Sequence, residues 1–233
     1  MKMQQLSSVS EALQFLGGNI PVKHILSFSF QQQNICSKIT NIRAESISNQ
    51  ALLSYIQSRK IDLELAKLYC QEVSYTVRNM NYFSIGFKND SQGYELSNQY
   101  FKGSSSPKDI TTYKNGKDSC LVFEGFWDML SYFALKGITQ PEHDVVVLNS
   151  VLNLPKAVNF IAAHDKVYTF LDNDLAGERT TNVLMGICKS LLNQSVHYSN
   201  YKDLNDYLCG KTKDPGISKE ISKQPKKGNA RKL

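Results

Sequence analysis

Apolar residues along this chain fall into three successive rhythms, each belonging to a different kind of element. Helical spacing comes first, in Leu52, Leu53 and Ile56 and, after the break at Arg59-Lys60, in Leu63, Ala66 and Leu68. The spacing predicts a helical hairpin over residues 49–58 and 62–70, with Asp62 placed to cap the second helix. Alternation follows in Val73-Ser74-Tyr75-Thr76-Val77, in Tyr82-Phe83-Ser84-Ile85-Gly86-Phe87 and in Tyr94-Glu95-Leu96, with turn residues at 79–81 and 89–93. These read as strands of a small antiparallel sheet. From Ser119 onward short apolar runs take turns with helical stretches. Strands are expected at 120–123, 145–148, 167–171 and 196–198, and helices at 126–135, 156–163, 176–192 and 203–209, the first ended by Gly137 and the second opened by Pro155. That order predicts an α/β fold, a mostly parallel sheet flanked by helices and preceded by a small α+β subdomain with an antiparallel sheet.

The pattern is weaker elsewhere. Ser8-Val9-Ser10-Glu11 is a capping box that opens a short apolar stretch over 12–16, stopped by Gly17-Gly18. Residues 20–48 are rich in Gln, Asn and Ser without a sustained period, as a linker or loosely packed region would be. The division expected is therefore a short helix and linker over 1–48, the α+β subdomain over 49–118, the β/α domain over 119–210 and a tail over 211–233. A Ser-rich loop at 102–108 carries Lys102 and Lys108; its small residues let a backbone approach phosphates, though an ordinary surface loop has the same composition.

Composition narrows the class. The chain has 233 residues, 41% hydrophobic and 21% charged, which excludes collagen-like and wholly disordered classes. No apolar run approaches the length of a membrane span and the start MKMQQLSSVS lacks a secretory h-region, so a cytoplasmic location without membrane is expected. Five cysteines without a CxxC pair and four scattered histidines spell neither a disulfide framework nor a zinc site, and the cysteines are expected reduced and mostly buried. The net charge of +6 needs dividing: residues 211–233 hold eight of the 27 Lys and Arg and two of the 21 Asp and Glu, leaving 19 of each sign in the body. The tail suits a polyanion, or simply solvates the end of the chain.

Chemistry gathers at the expected strand ends, where parallel sheets collect ligands. Glu124 and Gly125 follow the first strand with Asp128 one helical turn on; Asp172 and Asp174 follow the third, with Gly177 close behind; Lys202 and Asp203 precede the last helix. Each acid alone could serve as a helix cap. Acids from three strand ends at one edge, without His or Cys, make a hard oxygen site suited to Mg²⁺ or Mn²⁺, since that many close negative charges would otherwise repel.

Phe123-Glu124-Gly125-Phe126-Trp127-Asp128 followed by Leu171-Asp172-Asn173-Asp174-Leu175-Ala176-Gly177 resembles the Toprim signature of bacterial primases, topoisomerases and some nucleases. Lys202-Asp203-Leu204-Asn205-Asp206 resembles the third acidic stretch of the primases, and the sheet and polar loop before residue 103 resemble the region preceding Toprim in them. The bacterial DNA primases, in particular those of mobile elements, are the group most resembled. The resemblance implies Glu124 as catalytic acid or base, Asp172 and Asp174 as metal ligands, Asp128 and Asp203 as supporting ligands, and Gly125 and Gly177 as turn supports. It assigns nucleotide or DNA binding to Lys102, Lys108 and Lys202. It further implies primer synthesis on single-stranded DNA from nucleoside triphosphates, with a helicase or relaxase as partner, in plasmid or mobile-element replication or transfer. Tyr75, Tyr82 and Tyr94 would be strand residues or would help hold the template. The chain departs from the group at Asn205, where primases often carry a second acid, and at Ser97 and Gln99, where basic residues are usual. The primases' zinc-binding module has no counterpart in its cysteines and histidines, the 8–16 helix resembling only the last piece of one. A Toprim nuclease, or a binding module without turnover, would use the same acids.

Overall fold

The computed structural model describes residues 39–212. The expected helix at 12–16 and nearly all of the basic tail lie outside them. The chain begins with β1 (Thr40–Glu45), α1 (Gln50–Ser58) and α2 (Leu63–Tyr69), then β2 (Cys70–Val77), β3 (Met80–Lys88), β4 (Tyr94–Ser97) and β5 (Lys102–Ser104). The five strands form an antiparallel sheet in sequence order. Asp62 caps α2, its Oδ1 accepting from the Glu64 and Leu65 N–H groups. The β2–β3 hairpin runs in register from Cys70 opposite Phe87 to Val77 opposite Met80. Its two linking residues, Arg78 and Asn79, both have positive φ, a turn whose twist matches that of the strands. Met80 and Asn81, expected in the turn, thus belong to β3.

A second sheet follows from β6 (Thr111–Tyr113), β7 (Ser119–Phe123), β8 (Asp144–Val147), β9 (Lys166–Phe170) and β10 (Leu191–Asn193), in the order β10-β9-β7-β8-β6. All pairs are parallel except β6 with β8. Helices α3 (Phe126–Lys136), α4 (Leu154–Ala162), α5 (Leu175–Ile187) and α6 (Leu204–Cys209) connect and follow these strands. This is the expected α/β class.

Alternation along β7 explains the layers. Leu121 and Phe123 join Met129, Leu130 and Phe133 of α3 on one face, while Cys120 and Val122 meet Ala157, Val158 and Ile161 of α4 and Leu184 of α5 on the other. The first face also takes Ile85 and Phe87 of β3 and Leu52, Ile56 and Leu65 of α1 and α2, so both sheets share one core. The Phe87 and Phe126 rings stack with centroids 5.1 Å apart. Each fully buried Phe contributes about 1.5–3 kcal/mol, and this pair fixes the antiparallel sheet beside the first turn of α3.

Several expectations fail for physical reasons. Residues 40–45, read as linker, are an edge strand exposed on both faces, which leaves no apolar alternation to see. The first three residues of the Ser-rich loop are β5, and Thr111–Tyr113 is a further edge strand; both are too short to show a period. The helix expected over 176–192 stops at Ile187, and Leu191 and Leu192 pair with Val167 and Tyr168 as β10. The strand expected over 196–198 is a 3₁₀ turn, Ser195–Tyr198. Tyr75 and Tyr94 are buried, leaving Tyr82 alone of the three exposed. Among the described residues all four cysteines are free, with Cys70 and Cys120 buried, and no helix is long and apolar enough to cross a membrane.

Candidate metal centre

The connection after β7 leaves toward β8 and that after β9 leaves toward β10, so the carboxyl ends of these neighbours form the crevice where a parallel sheet holds ligands. Glu124 follows β7. Gly125 is the N-cap of α3, and its N–H donates to Asp128 Oδ2 at 3.2 Å, drawing that carboxylate back over the helix N-terminus. Asp128 is only 6% exposed, and its Oδ1 has no hydrogen-bond partner. Asp172, just past β9, donates its backbone N–H to Glu124 Oε2 at 3.2 Å. Asp203 is the N-cap of α6, its Oδ1 accepting from the Asp206 N–H at 2.7 Å.

Asp128, Asp172 and Asp203 each offer a carboxylate oxygen, and these lie within 4.8 Å of one another. Such crowding shows in the protonation of Asp128, Asp172 and the adjoining Glu124. Burial, reinforced by the Asp203 charge, pushes the Asp128 carboxyl well above the usual range. Asp172 rises to about 6 by burial and by Asp203, with Lys202 and Lys102 opposing. Burial and the Asp172 charge push Glu124 up to about 7. Three crowded acids and an orphaned buried carboxylate oxygen fit a hard divalent cation, which would satisfy that oxygen and remove the repulsion. Asp174 is placed differently: it caps α5, its Oδ1 accepting from the Ala176 and Gly177 N–H groups, both at 2.9 Å.

Asn173, between the two acids, is a positioning residue that sequence reasoning missed. Its Nδ2 donates to the Tyr198 and Tyr201 carbonyls at 2.9 and 3.0 Å, and its N–H donates to the Lys202 carbonyl at 2.7 Å. These bonds fasten the segment carrying Asp203 against the end of β9. An amide between two acids has the donors for this role, but the sequence does not say which carbonyls it meets. Gly177 provides the close approach at the same point: a Cβ there would lie 2.1 Å from the Asp172 carbonyl oxygen.

Lys202 Nζ stands 3.6 Å from Asp172 Oδ2. Lys102, on β5, acts by charge on Glu124, Asp128 and Asp172. Lys108 is set by Glu95, and its carbonyl accepts from Lys156 Nζ. Beside Asp172 and Asp174 opens a groove of about 560 Å³, lined by Glu178, Asn182, Asn193 and Ser195 among others, within the size range of small-molecule sites. Asn205 points away from the acids into the protein: its Nδ2 donates to the Arg59 carbonyl and Ser131 Oγ, and its Oδ1 accepts from Arg59 Nη1 at 2.9 Å. An acid there would face two acceptors with no proton to offer. Asn205→Asp is therefore expected to destabilise the protein by about 1–3 kcal/mol without tightening Mn²⁺ binding, as urea unfolding and metal titration would establish.

Glu95 of β4 was also unforeseen. Burial raises its carboxyl to about 7 despite Lys108 and Lys102 nearby. A raised carboxyl means the folded state holds the proton more tightly, so stability is present at low pH and lost as pH rises from about 4.5 to about 7. Glu95→Gln should remove on the order of 2–3 kcal/mol of that loss; urea unfolding of both proteins in EDTA at pH 4.5 and 8 isolates the difference, and equal slopes would refute it.

Residues 121–208 match the Toprim-like family, and residues 41–106 match a domain of unknown function, DUF8464. No curated protein matches the chain. Solved structures similar to it include the primase fragment of the bacteriophage T7 primase-helicase protein, at 16% identity over 72% of this chain and 75% of that one, TM-score 0.49. The bacteriophage T7 lagging-strand DNA polymerase with primase domains of two gp4 subunits bound to an RNA/DNA hybrid and dTTP matches at 17% identity, over 73% and 88%, TM-score 0.48. The zinc-binding and RNA polymerase domains of the Aquifex aeolicus primase match at 15% identity, over 72% and 57%, TM-score 0.44.

Proposed function

From a chain whose residues 121–208 form a Toprim-like domain, we propose a metal-dependent nucleotidyltransferase of the DNA primase type, making short primers on single-stranded DNA from nucleoside triphosphates. The observation that carries this reading is the Asp128, Asp172 and Asp203 cluster, with its orphaned Oδ1, at the sheet's ligand crevice. Those three acids would hold Mg²⁺ or Mn²⁺, with Asp174 adding charge at the rim. A divalent ion there supplies Lewis acidity to phosphoryl oxygens and charge for the pyrophosphate leaving group.

The chain's own groups do the rest. Glu124, part-buried at the end of β7 beside Asp172, takes the proton of the primer 3′ hydroxyl. The Asp172 N–H on Oε2 fixes its orientation. Lys202 and Lys102 orient the triphosphate, and the groove beside Asp174 receives the nucleotide. Lys108, in the loop between β5 and β6, contacts the template. In this reading the 49–118 subdomain serves the template and 119–210 the chemistry. The resemblance adds the setting, plasmid or mobile-element replication or transfer in a bacterial cytoplasm, with a helicase or relaxase as partner.

The test is incorporation of labelled nucleotides on single-stranded DNA with Mg²⁺ or Mn²⁺, comparing wild type with Glu124→Gln. Metal-dependent products lowered about 10²–10⁴-fold in the variant support the reading. Metal-dependent cleavage without synthesis would convert it to a nuclease, and metal binding without either reaction to a binding module.

A further inference from the structure

The hairpin end of the antiparallel sheet carries a cluster that the acid site leaves unused. Resting on the nucleic-acid reading above, we propose that it is a stacking platform for a single strand of DNA or RNA, with Tyr82, Tyr100 and Phe101 receiving bases and Arg78 receiving phosphates.

Exposure and order coincide here. Tyr100 is 89% exposed, and Tyr82, Phe83 and Phe101 each present about two fifths of their surface to solvent. Tyr82 stacks on Tyr75, directly opposite it in the hairpin, with centroids 5.9 Å apart. The Phe101 ring is folded back over Gly103, where a Cβ would meet it at 2.4 Å, and lies 6.2 Å from Tyr75. Asn98 fastens the intervening turn. Its Oδ1 accepts from the Tyr100 N–H, and its Nδ2 donates to the Phe83 carbonyl and Ser84 Oγ. The Tyr82 and Phe101 rings, held this way, lose little freedom when a base settles on them.

Charge identifies the occupant. Residues 39–44, 73–84 and 97–104 contain Arg43, Arg78 and Lys102 and no Asp or Glu. A cationic aromatic surface suits bases and phosphates together, since every base offers a π-face and stacking is tolerant of sequence. A groove for an apolar helix would present a run of aliphatic side chains, whereas Ile42 and Met80 are the exposed aliphatic ones in these strands. Position agrees as well: Ser97, at the start of the turn, accepts from Trp127 Nε1 at 3.1 Å, which ties the platform to the first turn of α3, where Asp128 sits. Lys102 follows Phe101 directly and acts on the acids. A strand laid on these rings is thereby led toward the acid cluster.

The test uses the full chain and fluorescently labelled oligo(dT) in EDTA, read by anisotropy, so that neither turnover nor metal enters. Tyr82→Ala and Tyr100→Ala should each weaken binding about tenfold at an unchanged salt slope, and Tyr82→Phe and Tyr100→Phe should bind as wild type. Arg78→Ala should instead shallow the salt slope by about 1. Undiminished binding in the Tyr82→Ala/Tyr100→Ala double variant, with its circular dichroism unchanged, would overturn the platform. The two readings separate cleanly: ring-dependent binding by a protein that never incorporates nucleotides leaves the platform standing, and incorporation indifferent to the rings leaves only the enzyme.

Discussion

Asp128→Asn is expected to make the metal-free protein more stable while abolishing its metal-dependent reaction. The buried carboxylate is crowded by Asp203 and Asp172, and one of its oxygens has no partner. An amide keeps an acceptor for the Gly125 N–H and places a donor where the orphaned oxygen stood, facing the two remaining carboxylates. Relief of a buried, poorly compensated acid is worth about 1–3 kcal/mol, read as a higher urea midpoint in EDTA at pH 8. Metal affinity should move the opposite way, and nucleotide incorporation should fall by about 10³-fold or more, the share a metal can hold in phosphoryl transfer. A variant less stable than wild type in EDTA would show that Asp128 is a structural cap and not a strained ligand.

Gly177→Ala should damage both the fold and the site through one contact. The added methyl arrives 2.1 Å from the Asp172 carbonyl oxygen and 3.0 Å from its carbon, and backbone cannot yield as a side-chain tip would. Alanine is otherwise the better helix former by about 1 kcal/mol, so a neutral contact would give a stabilised protein. We expect the clash to win, costing about 1–3 kcal/mol net, with Asp172 displaced and Mn²⁺ binding weakened at least tenfold. Titration of Mn²⁺ together with urea unfolding decides it: a variant as stable as wild type, with unchanged affinity, would mean that α5 slides away freely.

The parts of the fold legible in the sequence are those whose cause is local. β7, β8 and β9 are short apolar runs because both their faces are covered, and Asp62 and Gly137 sit at helix ends for reasons of capping chemistry. β1 escaped because an edge strand exposed on both faces carries no pattern. The boundary at Ile187 escaped although Gly186 stands beside it, because Leu191 and Leu192 continue the helical spacing and leave it only when β9 pairs with them, a tertiary cause. The acids were legible as residues at strand ends, whereas which of their oxygens come together was not. Sequence reasoning coupled Asp172 with Asp174, while the structure gathers Asp172 with Asp128 and Asp203 and gives Asp174 Oδ1 to the first turn of α5. Side-chain direction at a helix start decides this, and a one-dimensional pattern does not contain it. Nor does the pattern show what Asn205 does: the sequence marks it as a departure from the acidic stretch, and its amide is consumed by Arg59 and Ser131.

That Arg59–Asn205 clasp also couples the two ends of the described chain. It joins α1 to α6 across 146 residues of chain, among the most distant contacts in the molecule, and closing so long a loop is slow because its entropy is lost before the contact repays it. Asp203 rides on the same helix. The segment before it is also held by Asn173 at the end of β9, so the third carboxylate is fixed both by a near contact and by one that closes most of the chain. A divalent ion held by Asp128, Asp172 and Asp203 would thus favour the docking of α6 against α1, since a ligand that binds the assembled state stabilises it.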